Sequence, residues 1–247
     1  MERKSAYANL AKWFEYLNDD CGYENWSQYL ILKLERFSLV SGLDMGCGGG
    51  WFTRAFQKHG YQMTGVDKSA EMLDFAQEKA MQEGVRSEYL LGDITTFKSP
   101  KKFDFVTAIN DCVNYIPKTK LVTAFKKIYN ALGKGGVFLF DISSERKFLN
   151  KIANTVSVDD REDVTYMSFN KAEEDGATLE VTLFVKRTDG SYERLDETHR
   201  QYRYTKAEIL YALEQAGFTL LEAEGFLGED EATSDRLCFL AQKGGKK

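Results

Sequence analysis

From residue 37 to about 143 the chain alternates short apolar runs with segments whose apolar positions recur every three to four residues, as successive βαβ units do. The apolar runs predict strands at Leu39–Met45, Tyr61–Val66, Ser87–Leu91, Phe103–Ile109 and Val137–Ile142. The segments between them predict helices near Trp51–His59, Ala70–Glu83 and Lys120–Leu132. In the second helix Met72, Phe75, Ala76, Lys79 and Ala80 share one face, Ser69 is placed to cap it, and Glu71 and Asp74 lie near the positive end of its dipole. Short connections of this kind make parallel strands with right-handed crossovers. The expected fold class is α/β, a Rossmann-like doubly wound sheet.

The period changes between Val156 and Tyr204. Leu179, Val181, Leu183 and Val185 alternate with Glu180, Thr182, Phe184 and Lys186, and Glu174-Asp175-Gly176 and Thr188-Asp189-Gly190 supply turns. This predicts a three-stranded antiparallel meander inserted into the parallel fold. Thr205 caps a further helix through Ala216, Gly217 ends it, and strands follow near Phe218–Phe226 and Arg236–Gln242. The expected organisation is one domain over 1–247. It comprises an N-terminal helical cap (1–36), a core (37–143), the inserted meander as a lid (150–204) and a closing helix and strands (205–247).

Charge and composition narrow the partners. The chain has 33 basic and 38 acidic residues, a formal net of −5, with Lys and Arg scattered among acids, which points away from nucleic acid. No apolar run reaches the roughly 18 residues of a membrane span, and the polar start shows no signal-peptide core. The cysteines, Cys21, Cys47, Cys112 and Cys238, form no C-x-x-C pair and read as reduced thiols of a cytoplasmic protein. With only His59 and His199, a histidine-based metal site is not expected. Monomer and homodimer stay open.

The chemistry concentrates at Gly42-Leu43-Asp44-Met45-Gly46-Cys47-Gly48-Gly49-Gly50-Trp51, where the first strand meets the first helix. The dinucleotide-binding spacing G-x-G-x-x-G fails there, since its last position falls on Trp51 or Thr53. What fits is Asp-x-Gly-x-Gly-x-Gly, with Asp44, Gly46, Gly48 and Gly50 in place. An acid ahead of the loop is a poor neighbour for a pyrophosphate and suits a ligand with a cationic end.

This spacing resembles the first motif of the class I S-adenosylmethionine-dependent methyltransferases, and the resemblance continues downstream. It implies S-adenosyl-L-methionine as cofactor, S-adenosyl-L-homocysteine as product, and a seven-stranded sheet with its last strand antiparallel. Asp44, Gly46, Cys47 and Gly48 would shape the methionine end. Gly65-Val66-Asp67 ends the second strand, where the family's acid takes both ribose hydroxyls, a task a two-oxygen carboxylate can perform. Lys68 follows it, and Met72 would cover one face of the adenine. Gly92-Asp93-Ile94 ends the third strand, with Asp93 toward the adenine amino group and Ile94 against the ring. The fourth strand runs into Asn110-Asp111-Cys112-Val113-Asn114-Tyr115, where Asn110 would meet the methionine moiety and Asp111, Asn114 and Tyr115 would line the route to the acceptor.

The flanks resemble the small-molecule branch of the family, which includes methyltransferases of amino sugars and of glycine-like substrates. Many members carry a Tyr-Asp pair where this chain has Phe14-Glu15, so their N-terminal tyrosine has no counterpart at that position; Tyr7 and Tyr16 lie nearby but off it. The meander ends in Asp196-Glu197-Thr198-His199-Arg200-Gln201-Tyr202-Arg203-Tyr204, with Glu197, His199, Gln201 and Arg203 on one face. A histidine on a polar strand face is commonly a surface or structural group. If His199 faces the acceptor, the ordinary imidazole pKa near 6.5 suits it to take a proton from an amine. The expected catalytic residues are thus His199, Asp111 and Tyr115, and the expected reaction is direct in-line methyl transfer to a nitrogen or oxygen of a small molecule. Asn110-Asp111-Cys112-Val113 lacks the paired prolines of base amino-methylating enzymes, and Cys112 does not follow a proline as a cytosine C5 nucleophile would. An RNA- or protein-directed methyltransferase and a non-catalytic module on the same fold remain as alternatives.

Overall fold

The computed structural model describes residues 6, 7 and 9–244. Two helices, α1 (Phe14–Leu17) and α2 (Tyr23–Leu34), precede an alternation of β1 (Ser41–Met45), α3 (Trp51–Lys58), β2 (Gln62–Asp67), α4 (Ala70–Gln82), β3 (Glu88–Leu91), β4 (Phe103–Ala108), α5 (Leu121–Ala131) and β5 (Leu132–Ser143). After the single turn α6 (Glu145–Lys147) come β6 (Val156–Asp160), β7 (Val164–Glu173), β8 (Gly176–Lys186) and β9 (Tyr192–Tyr202), then α7 (Lys206–Ala216), β10 (Phe218–Gly225) and β11 (Arg236–Lys243).

The main sheet has seven strands in the order β10-β11-β5-β4-β1-β2-β3. β1 pairs in parallel with both β2 and β4, so the strand order reverses direction there, and a ligand crevice opens beyond the carboxyl ends of strands at such a point. β11 runs antiparallel to β5 and to β10. One face is closed by α5 and α7 packed on Val106, Phe138 and Phe140, the other by α2 and α3 packed on Met63, Phe105 and Leu139. These central strands are buried on both faces, which is why their sequence reads as continuous apolar runs. Ser69 caps α4 by accepting from the Met72 N–H, and Thr205 and Glu208 form a reciprocal capping box on α7.

The inserted sheet has four strands, β6-β7-β8-β9, where three were expected. The additional strand is β6, which pairs over five positions with β7 across the short turn at 161–163. Five residues with Asp159 and Asp160 at one end carry too little alternation to read as a strand alone. β5 begins at Leu132 rather than Val137, because Leu132 pairs with Phe103 before a bulge readmits the chain at Phe105–Val137. No described helix is long and apolar enough to cross a membrane.

Candidate active site

A cavity of about 310 Å³ opens where β1, β2 and β4 end. Its floor is the loop between β1 and α3. The Gly46 and Cys47 N–H groups both donate to the Val66 carbonyl, at 2.7 and 3.0 Å, which ties the loop to β2. Gly46 has φ +72°, and a Cβ there would lie 2.2 Å from the Cys112 sulfur, so only glycine fits. Gly48, at φ +51°, is different: a Cβ would meet nothing nearer than Met72 Cε at 3.6 Å and would intrude into the cavity.

Asp44 lines this floor and is 2% exposed, with its two oxygens accepting from Thr53 Oγ1 at 2.6 Å and Thr107 Oγ1 at 2.8 Å. Burial pushes its pKa up to about 6; the hydroxyl bonds pull the other way without cancelling it, and the charge of Asp67 adds to the rise. Asp67 accepts from the Gly48 N–H and the Ser69 N–H, each at 2.9 Å, one on each oxygen. A carboxylate offers about four lone-pair directions, so two remain for a vicinal diol. Burial raises the Asp67 pKa as well, against the pull of those backbone bonds. Lys68, Met72, Asp93 and Ile94 also line the cavity. Asp93 Oδ1 accepts the Thr95 N–H at 2.7 Å, and Oδ2 takes no part in that turn. The Lys68 ammonium stands 5.6 Å from the centre of the Tyr115 ring.

Beyond β4 the chain turns through two successive left-handed residues, Asn110 (φ 64°) and Asp111 (φ 65°). Both N–H groups donate to the Asp141 carboxylate, at 2.7 and 3.1 Å, which holds this strained turn. Asn110 lines the cavity, with its amide on the Tyr23 hydroxyl at 3.2 Å. Asp111, expected on the route to the acceptor, does not line the cavity. Its carboxylate is turned into an ion cluster with Arg236 at 2.9 Å, Lys147 at 3.3 Å and Ser143 at 2.7 Å. Burial alone would favour a neutral acid, but the two cations hold Asp111 well below the usual carboxylate range. Asn114 is likewise structural: its oxygen accepts the Ser143 N–H at 2.8 Å and its amide donates to the Tyr202 carbonyl at 2.9 Å.

Tyr115 does line the cavity, and His199 stands behind it, 3% exposed, with Nδ1 at 3.1 Å from the Tyr115 hydroxyl. The polar face of β9 is therefore the buried one: Glu197, His199 and Gln201 all point inward. What covers it is the N-terminal segment. Leu10 packs with Val164 and Leu183, and the Glu197 carboxylate accepts the backbone N–H groups of Tyr7, Asn9 and Leu10. This docking brings Tyr7 and Phe14 to the cavity wall. Glu15 meets Arg54 at 2.8 Å, and the same guanidinium donates to the Gly49 carbonyl at 2.6 Å, so the roof and the glycine loop share one brace.

Tyr7, Glu15 and Arg54 were not found by reading the sequence. Tyr7 lies near the N-terminal motif but off its position, and nothing local marks an arginine in the first helical turn as buried. The one available signal was the polar face of β9, too rich in Glu, His and Gln to cover an apolar core.

The cavity lining combines open backbone at Gly48, a carboxylate with spare acceptor capacity at Asp67, apolar Met72 and Ile94 beside Asp93, and a buried acid at Asp44, a set compatible with S-adenosylmethionine. A family model described as a methyltransferase domain matches residues 43–136. A protein of Geobacillus sp. (strain WCH70) that carries the provisional name methyltransferase is 32% identical over 246 residues, covering 96% of this chain and 99% of its own. The crystal structure of an S-adenosylmethionine-dependent methyltransferase from Clostridium acetobutylicum superposes with a TM-score of 0.86 at 29% identity, covering 95% of this chain and 97% of that one. CalS10 of Micromonospora echinaspora, an amino pentose methyltransferase solved with S-adenosylmethionine bound, shares the fold at 22% identity and a TM-score of 0.72, over 98% of this chain and 100% of that one. Fold, loop chemistry and full-length similarity agree: the chain belongs to the class I S-adenosylmethionine-dependent methyltransferases.

Proposed function

We propose that this methyltransferase acts on a small molecule, at nitrogen or oxygen, in the cytoplasm. The observation that carries the reading is the roof. Tyr7 and Phe14 close the acceptor end of a cavity of about 310 Å³, anchored on one side by Glu197 and on the other by Arg54. A polymer needs an open groove to thread, whereas a small molecule can be enclosed and dried. The net charge of −5 supports the same choice, as does the amino pentose specificity of CalS10. The described cysteines all stand free, as in a reducing compartment.

Bound S-adenosylmethionine supplies a methyl group already activated on a sulfonium, so the hard chemistry lies in the cofactor. The chain's part is to bind and align. Asp44, Gly46, Cys47 and Gly48 take the amino-acid end, Asp67 and Lys68 the ribose, and Met72, Asp93 and Ile94 the adenine. Asn110 lies at the reacting end, with Tyr115 facing the acceptor and His199 acting through it. Asp111 works one layer out, fixing the turn that presents Asn110. Holding acceptor and methyl carbon in line can supply several kcal/mol of the barrier.

The test is methyl transfer from tritiated S-adenosylmethionine to a panel of amino sugars, amines and hydroxyl compounds, run beside total RNA and a denatured protein extract. Label in a small-molecule product supports the reading. Label confined to RNA or protein overturns it.

A further inference from the structure

With its ring neutral, the bonds around His199 have only one consistent direction. Glu197 is fully buried, and four donors meet its two oxygens: the Tyr7 N–H at 2.9 Å and His199 Nε2 at 3.0 Å on one, and the Asn9 and Leu10 N–H groups on the other. Three of the four are backbone amides, which can only donate. Burial works against the charged form, but the bonds from His199, Asn9 and Leu10 outweigh it and hold the Glu197 carboxyl below its ordinary range. An ionised carboxylate only accepts, so His199 must carry its proton on Nε2. In the neutral ring Nδ1 is then an acceptor, and the Tyr115 hydroxyl, 3.1 Å away, must donate to it. The Tyr115 oxygen in turn accepts from Tyr7 Oη at 2.8 Å and from Gln201 Nε2 at 3.3 Å. The Tyr7 hydroxyl thus directs its hydrogen to Tyr115, its oxygen keeps acceptor capacity, and Tyr7 itself lines the cavity.

We infer that Tyr7, Tyr115, His199 and Glu197 form a one-way proton relay out of the acceptor site, with Tyr7 as the group that meets the acceptor. This rests on the small-molecule reading above and deepens it. As the acceptor gains its methyl group, its N–H or O–H bond breaks and the proton passes to the Tyr7 oxygen. The Tyr7 hydrogen moves to the Tyr115 oxygen and the Tyr115 hydrogen to His199 Nδ1. Both tyrosines end as neutral phenols, the acceptor has lost one proton, and an imidazolium remains beside the Glu197 carboxylate. No free tyrosinate is required, which matters because burial pushes both phenols well above their ordinary pKa. The imidazole Nδ1 lies behind the cavity wall, so an acceptor can reach it only through the tyrosines. The relay also exists only while Tyr7, Asn9 and Leu10 are docked, since Glu197 that polarises it is the group that docks them.

The chain has two histidines, so ring-¹⁵N-histidine labelling gives two imidazoles, and His59→Gln leaves His199 alone. Nitrogen NMR of the resting protein at about pH 8 is expected to show a neutral ring protonated on Nε2. Tyr115→Phe should move the Nδ1 resonance toward that of an unbonded pyridine-type nitrogen. Tyr7→Phe should move it the same way by less, because a chain of hydrogen bonds is mutually polarised. A ring protonated on Nδ1, or an imidazolium at that pH, overturns the proposal, since Tyr115 would then accept from His199 and the relay would be reversed or already filled. With a panel acceptor that the wild type methylates, Tyr7→Phe should lower kcat about 100-fold, leaving KM and S-adenosylhomocysteine affinity within about twofold. The Tyr7→Phe/Tyr115→Phe double variant should be no slower than the worse single one. An unchanged kcat in Tyr7→Phe, or additive losses, also overturns it. The nitrogen spectrum needs no acceptor, so a wild type that methylates nothing in the panel counts against the small-molecule reading and not against the relay's direction.

Discussion

If Asp44 takes the amino-acid end as proposed, the cofactor affinity should depend on pH. Burial lifts its pKa to about 6, above the ordinary 3.9 or so of an aspartate, so the folded protein favours the neutral acid. In the free protein this contributes stability that is full below about pH 4 and lost as pH rises through about 6, at most about 3 kcal/mol for a shift of some two units. Binding a cationic ammonium beside Asp44 requires the ionised form. The apparent Kd should then be weakened by one plus ten to the power of the pKa minus the pH: about elevenfold near pH 5, about twofold near pH 6 and negligibly near pH 8. Calorimetry across about pH 5 to 8 measures this directly. S-adenosylmethionine and S-adenosylhomocysteine should share one slope, because both carry the ammonium. Asp44→Asn should flatten both curves. Methylthioadenosine, which keeps the ribose and adenine but lacks the amino-acid end, should bind with little change over the same range. A flat profile for the two full-length ligands refutes the reasoning. The same slope for methylthioadenosine would move the titration to Asp67, whose pKa burial also raises.

Other variants separate binding from folding. Asp67→Ala removes the carboxylate proposed to accept the ribose hydroxyls and should weaken S-adenosylmethionine by about 1 to 3 kcal/mol in calorimetry; unchanged affinity in a folded variant sinks that assignment. Gly46→Ala must place a Cβ 2.2 Å from the Cys112 sulfur at φ +72°, and should cost about 2 to 4 kcal/mol in urea denaturation, strain and overpacking together. Adding Cys112→Ala should restore the overpacking part and leave the φ strain. Arg236→Met strands the buried Asp111 and Asp141 carboxylates with only Lys147 to offset them, and should cost about 3 to 5 kcal/mol. Breaking the more exposed Arg146–Asp235 pair by Arg146→Met should cost under about 1 kcal/mol, and equal losses for the two would contradict the burial argument.

The sequence by itself determined what depends on neighbours along the chain. The 3.6 and 2.0 periods located α3, α4, α5 and β1 to β4 to within a few residues, and Ser69 and Thr205 marked their helices because a cap is a bond to the next turn. The glycine loop and the acids at Asp44, Asp67 and Asp93 were legible for the same reason: strand end, turn and helix start follow one another directly. Only the tertiary structure decided which polar groups line the cavity. Glu197 finds the Tyr7 N–H 190 residues away, and Arg236 finds Asp111 at a separation of 125. Those pairings bury the polar face of β9, which period two alone placed on a polar strand face. They also turn Asp111 out of the cavity and bring Tyr7 in. The strand pattern of β9 fixes which residues share a face, and what covers that face depends on where a distant segment can satisfy a buried carboxylate.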